Sequence, residues 1–197
     1  MAEIPAISDV PFGSPDIIRE LKLAVDTLAG RIGGNVDYGT IDGVRTKVLD
    51  IVHLCNMGRI KARAYRNAAQ NINATSSTKV LIDAISFDTE DVVNITSSRI
   101  VPNLPGYYIA IANIRVSNVP DGMRVIASIA KNGVVVTHGT MVNQGAAGHS
   151  VSIAQDLVYM NGKTDYLELY AYNGHSSALG LYVGQSYQNY ISILGPF

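Results

Sequence analysis

Residues 165–172 read Asp165-Tyr166-Leu167-Glu168-Leu169-Tyr170-Ala171-Tyr172. Side chains of an extended chain alternate between its two faces. One face therefore carries Leu167, Leu169 and Ala171, and the other Tyr166, Glu168, Tyr170 and Tyr172. The C-terminal run repeats the pattern, with Tyr187, Ile191 and Ile193 on one side and Tyr190 and Leu194 on the other. An ordinary sandwich strand is polar on its outer face. Bulky residues on both faces imply two covers, the opposing sheet and a second subunit. The subunit-facing candidates are Tyr166, Tyr170, Tyr172, Tyr187, Tyr190 and Ile191.

The same β signal extends outward from this stretch. From Ile72 onward the runs Lys79–Phe87, Tyr107–Val116, Met123–Ala130, Val134–His138, Ser150–Tyr159, Asp165–Tyr172, Leu181–Tyr187 and Tyr190–Leu194 have strand length and composition. Asp121-Gly122, Asn132-Gly133, Asn161-Gly162 and Asn173-Gly174 stand between them, and such dipeptides supply the positive φ angles of tight turns. No helical periodicity interrupts the runs. The expected fold is mainly β, a sandwich or jelly roll over 72–197.

Upstream the pattern changes. Residues 1–14, with Pro5, Pro11 and Gly13, read as an extended arm. Ser14 suits an N-cap with Pro15 at the first helical position. Ile18, Leu21, Val25, Leu28 and Ile32 follow at spacings of three and four, and Gly33-Gly34 ends the seam. Two heptads are too few to hold a coiled coil alone. The seam is either an amphipathic helix packed on its own subunit or a coiled coil closed by assembly elsewhere. A second helix is expected from Gly43 to Cys55. Arg59-Ile-Lys-Ala-Arg-Ala-Tyr-Arg66 reads as a solvated helix face or a docking contact for an acidic partner. The chain thus divides into a helical N-terminal region, 1–71, and a β head, 72–197.

Composition narrows the function. The 197 residues are 47% hydrophobic and only 16% charged, which suits a surface partly covered by another subunit. Tyrosine, with 11 copies and nine of them from Tyr107 onward, fits packed but wet interfaces. A net charge of −1 gives no field for nucleic acid or an anionic membrane. The single Cys55 excludes an internal disulfide and a multi-cysteine zinc site. No basic-then-apolar leader opens the chain, and no run reaches the ~18 apolar residues of a membrane span. The expected site of synthesis is a cytoplasm, without Sec-type export.

Catalytic patterns are missing. His53, His138, His149 and His175 have no metal-ligand spacing, and there is no nucleophile elbow or phosphate loop. Asp83, Asp88, Glu90 and Asp91 cluster in sequence. They fit solvated turn residues, with a calcium site or a glycosidase pair as lesser readings. The chain is expected to be no enzyme and to need no cofactor. Gly139–Ser150 and Asn173–Gly180 are glycine-rich polar loops; Asn143, Gln144, His149 and His175 in them are candidate ligand contacts. Plain connecting loops look the same.

Five short motifs then appear in one order. Ile85-Ser-Phe-Asp-Thr89, Leu104-Pro-Gly-Tyr-Tyr-Ile-Ala-Ile-Ala-Asn-Ile114, Ser128-Ile-Ala-Lys-Asn-Gly133, Asp165–Tyr172 and Tyr190-Ile-Ser-Ile-Leu-Gly-Pro-Phe197 resemble successive strands of the C1q/TNF-like head. Aliphatic residues stand where that family's Pro-Gly-x-Tyr-x-Phe strand has Phe. The likeness covers 72–197 and implies a jelly roll that forms homotrimers. Residues 17–34 are similar to a segment of tailed-phage virion proteins, Ala-Leu-Lys-Glu-Asn-Val-x-x-Leu-Thr-Gly-x-x-Gly. Glu20, Val25, Leu28, Gly30 and Gly33 match it, and Ala29 replaces the usual Thr. Together the two likenesses imply a virion structural protein of a tailed phage, a trimeric short fibre or capsid decoration. Residues 1–71 would dock on capsid, portal or neck proteins. The alternative they imply is a receptor-binding module that recognises a host surface glycan through the far loops.

Overall fold

The computed structural model describes residues 58–143 and 145–197, all within one unit, His53–Phe197. The helical seam at Ile18, Leu21, Val25, Leu28 and Ile32 and the helix expected over 43–55 lie outside the described residues, as does Gln144. Among the described residues there are fourteen strands and no helix. In chain order they are β1 (Ile60–Tyr65), β2 (Asn71–Ile72), β3 (Ser76–Lys79), β4 (Ala84–Asp88), β5 (Val93–Asn94), β6 (Arg99–Ile100) and β7 (Pro105–Val119). There follow β8 (Arg124–Lys131), β9 (Val134–His138), β10 (Val142–Asn143), β11 (Gly148–Asn161), β12 (Leu167–Asn173), β13 (Leu179–Gly180) and β14 (Tyr190–Gly195).

Two antiparallel sheets face each other. The first has the order β11-β7-β14-β1-β4. The second runs β10-β8-β12-β6-β5, with β9 also paired to β8 and β3 also paired to β12. Successive long strands, β7 to β8 and β11 to β12, change sheet, which is the jelly-roll course. The alternation of 165–172 is realised, with Leu167, Leu169 and Ala171 in the core. The first sheet supplies small partners, Ala62, Ala64, Ala110, Ala112 and Ala154. Small against large lets the two inner faces approach and fill the space between them. The β8–β9 hairpin closes through Asn132 and Gly133 at φ 54° and 80°, the conformation that residue pair was expected to supply.

Several sequence expectations need correction. The basic stretch 59–66 is no helix face. Ile60, Ala62 and Ala64 are fully buried while Lys61, Arg63 and Tyr65 point outward, a period of two, and β1 lies between β14 and β4. The sandwich therefore includes residues ahead of Ile72. Lys79–Phe87 is not one strand: β3 ends in the second sheet and β4 begins in the first. Val80 and Ile82 enter the core along the crossing. Leu181–Tyr187 is mostly loop, since only Leu181 bridges a strand, at Val116. Asn189 fixes that loop by donating to the Tyr182 carbonyl (2.6 Å) and accepting from the Arg115 N–H (2.8 Å). Gly174 has no positive φ. There the Asn173 side chain organises the turn, accepting from the His175 N–H and donating to the Ser177 carbonyl.

Direction matters for the sites. The Gly58 N–H donates to the Pro196 carbonyl (2.7 Å), so the chain leads into the sandwich where β1 and β7 begin and β11 and β14 end. We call this the root. At the opposite, far end β11 and β14 begin and β12 ends. Backbone pairs join two loops there: Asn143 pairs with Arg124, whose carbonyl accepts from the Gly174 N–H (2.9 Å).

Candidate functional site: the outer face of the first sheet

Register places the outward residues of the first sheet side by side. Tyr159 pairs with Tyr107, Leu157 with Ile109, Ile153 with Asn113 and Val151 with Arg115. Ile109 in turn faces Leu194, and Asn113 faces Tyr190. β4 adds Ile85 and Phe87 at the other edge. Leu157 is 56% exposed and Tyr107 51%, and Ile109, Val151, Ile153, Tyr159, Ile85 and Phe87 are exposed to similar degrees. The rings of Tyr107 and Tyr159 meet edge to face at 5.4 Å. Single exposed apolar residues are ordinary on a protein surface, but a contiguous stripe across β11 and β7 is not. Exclusion of water from such a stripe is worth about 25 cal/mol per Å² of apolar surface covered.

A second apolar surface lies on the neighbouring edge. Val134 and Val136 of β9 are 67% and 47% exposed. β9 leans against β11, where Thr137 donates its hydroxyl to Asp156 and the Thr140 N–H reaches the Ile153 carbonyl.

The six residues expected to face a second subunit do not share one surface. Tyr166, Tyr170 and Tyr172 lie on the outer side of the second sheet, where two of the chain's own arginines lie against Tyr166 and Tyr172. The Arg99 guanidinium lies 3.8 Å over the Tyr166 ring, and Arg124 lies 5.9 Å from that of Tyr172. Between them Glu168, only 2% exposed, accepts from Lys79 Nζ (2.6 Å) and Arg99 Nε (3.0 Å) through Oε1. Burial, and then the Glu168 charge, raises the Tyr170 hydroxyl above its ordinary value. Long cationic stems are effective covers for aromatic surface, and all three rings are left partly exposed. Ile191 is 1% exposed inside the protomer's own core and offers no surface to a neighbour. Tyr190 stands on the outer face of the first sheet, half-buried beneath Arg63 at 3.7 Å. Tyr187 is exposed on the far-end loop, its carbonyl accepting from Asn113 Nδ2.

The candidate ligand residues gather at the far end. Asn143 closes β10. His149 is exposed at the start of β11, and its ring meets Tyr182 at 4.7 Å. His175 turns back on Ser177, whose N–H donates to its Nδ1 (3.2 Å). The two histidines thus have different partners. The acidic run does not gather into a site: Asp83 pairs with Arg66, Glu90 with Arg59, and Asp88 accepts the Val93 N–H. Among the described residues no three His, Cys, Asp or Glu side chains could hold a metal ion.

The apolar stripe itself was missed. Its signal was the pattern that opened the reading: Tyr107-Tyr108-Ile109-Ala110-Ile111-Ala112 is also apolar on both parities.

No protein-family profile and no curated sequence matches the chain. Solved structures do. A crystal structure of murine APRIL at pH 5.0 superposes with a TM-score of 0.52 at 8% identity, covering 68% of this chain and 97% of that one. Eiger TNF from S. frugiperda (10% identity, 70% and 92% covered) and the globular domain of zebrafish complement 1qA protein (11%, 69% and 96%) both score 0.49. The described part of this chain is a mainly β sandwich with the TNF/C1q-like jelly-roll fold.

Proposed function

We propose that the protein is a self-assembling structural knob of a tailed-phage virion, a homotrimeric short fibre or capsid decoration, with no catalytic step. The apolar outer face of the first sheet carries the reading. It would be hidden by copies of the same chain, as the resemblance to the C1q/TNF-like head implies. A closed ring needs two complementary patches on each protomer. The stripe of β7 and β11 is one, and the β9 edge with Val134 and Val136 is the other. The N-terminal region, similar to virion segments, would leave each copy at the root and dock on capsid, portal or neck proteins. Three roots brought together would raise the local concentration of the three 18–32 seams, so helices too short to associate alone could close.

Light scattering on the full chain tests this. Three times the 21.1 kDa chain mass is expected. A single-chain mass at micromolar concentration would sink the proposal.

One observation favours a second role for the same knob. The loops 139–150 and 173–180 meet at Arg124, at the end opposite the root. A particle-bound knob would present that end outward, where it could bind a host surface glycan. Loss of host adsorption on replacing 145–148 by a plain turn is expected; unchanged adsorption would remove this role.

A further inference from the structure

Toward the far end, the apolar stripe of the first sheet runs into a cation. Arg115 of β7 stands on the same outer face, half-buried and in register with exposed Val151 of β11. Its guanidinium lies 4.2 Å over the Tyr182 ring, whose N–H donates to the Arg115 carbonyl (2.8 Å). Leu181 bridges Val116, so this stack carries the fork toward the end of β7. Arg115 Nε is shielded from water without an acceptor, and no carboxylate among the described residues pairs with the side chain. Arg63, elsewhere on this face, at least reaches the Ser186 carbonyl (3.2 Å). The loop beside Arg115 offers no counter-charge, since 181–190 contains no charged residue.

A copy laid over this face would complete the removal of Arg115 from water. A guanidinium enclosed without an acceptor is strongly destabilising. The covering copy therefore has to bring one, and a carboxylate matches the planar fork with two parallel bonds.

The described residues narrow the choice of carboxylate. Asp83, Glu90, Asp165 and Glu168 are committed to cations of their own chain. Asp88 accepts the Val93 N–H, and Asp156 the Thr137 hydroxyl. Asp91 and Asp121 remain, both exposed. Asp91 follows Glu90, which pairs with Arg59 at the root. Asp121 lies at the far end, in the turn from β7 to β8. The Met123 N–H closes that turn on the Pro120 carbonyl (3.2 Å) with Gly122 at φ 72°, which holds Asp121 at its tip. β8 carries β9 and β10, so the turn adjoins the edge that forms the second patch. Rotation about an axis running from root to far end leaves every residue at its own level, so far-end groups meet far-end groups.

We propose that Asp121 of one copy pairs with Arg115 of the next, closing each junction of the ring at its far end. The inference rests on the assembly reading above, and it makes the Arg115 site incomplete without a second copy.

The mass of the full-length protein, followed by light scattering over a dilution series, tests it. D121N should raise the concentration at which trimers dissociate by about tenfold or more, and D121R by more still. D91N should dissociate as the parent does. The exchange R115E/D121R should assemble better than D121R, because it restores an opposite pair. Asp121 is exposed in a single chain, so D121N and D121R should melt with the parent when all are dilute and monomeric; D121N decides the matter even where the exchange misfolds. A parent that assembles, with D121N and D121R dissociating no more readily, would overturn this inference and leave the assembly reading standing. Weakening by D91N instead of D121N would also overturn it. A parent that never exceeds the mass of one chain would remove both.

Discussion

The outer faces of the two sheets are both rich in large apolar or aromatic side chains, yet they have opposite fates in a single chain. On the second sheet Tyr166 and Tyr172 lie beneath or beside arginines, and Glu168 between them pairs with both Lys79 and Arg99. On the first sheet Tyr107, Ile109 and Leu157 have no such cover, and Tyr159, with Lys131 Nζ 5.8 Å over its ring, is still 48% exposed. A strand with two apolar faces therefore does not by itself announce an interface. The question is whether the chain carries long charged stems placed to fold over the outer side. β12 has Lys79 beside it in register at Tyr170, whereas β7 and β11 pair chiefly with each other and with β14.

The sharpest way to break the contrast is to place one charge on each face. L157K should abolish assembly, leaving a mass near the 21.1 kDa of one chain by light scattering, because every copy would bury an ammonium against its neighbour. Y170K should leave the mass unchanged, since Tyr170 lies on the outer face of the second sheet and not on the stripe. If Y170K dissociates the protein and L157K does not, the faces have been assigned the wrong way round.

Removing the anchor of the covered face comes next. E168Q leaves Lys79 and Arg99 half-buried around a neutral amide. A loss of about 2 kcal/mol is expected in urea unfolding, less than for a fully enclosed pair because both cations reach water. Its oligomer mass should not move.

The smallest expected effect concerns Tyr108, the inward neighbour of exposed Tyr107. Burial pushes its hydroxyl up to about 12, and that hydroxyl donates to the Leu104 carbonyl (2.9 Å). Ionisation is thus disfavoured in the fold, so this contribution is complete below pH 10 and disappears as pH rises toward 12. Y108F should cost roughly 1 kcal/mol at neutral pH and flatten the alkaline part of the stability profile. An unchanged alkaline profile would show that other groups govern it.

Much of the fold was legible because alternation and turn chemistry are local. Asn132-Gly133 announced its hairpin, and 165–172 announced both its faces. Where local pattern and tertiary position diverge, reading failed. Ile60–Tyr65 alternates strictly, but four basic residues in 59–66 suggested a solvated helix, and only the sheet shows that Lys61 and Arg63 sit on an outer face. Leu181–Tyr187 has strand composition, yet Asn189 holds its backbone in a loop through contacts distant in the fold. The site was less legible than the fold. Whether Tyr107 or Tyr170 is left bare depends on which cations the topology brings alongside, and no spacing in the sequence encodes that. The arginine–tyrosine stacks at the far end, such as Arg115 on Tyr182, join residues far apart in sequence for the same reason.

Hydroxyl-radical footprinting of the intact protein probes the uncovered stripe most directly. If copies of the chain hide it, Tyr107, Leu157 and Tyr159 will be protected while Tyr187 at the far end is labelled freely. Labelling of all four to the degree their single-chain exposure allows would mean the stripe faces water, and the assembly account would be wrong.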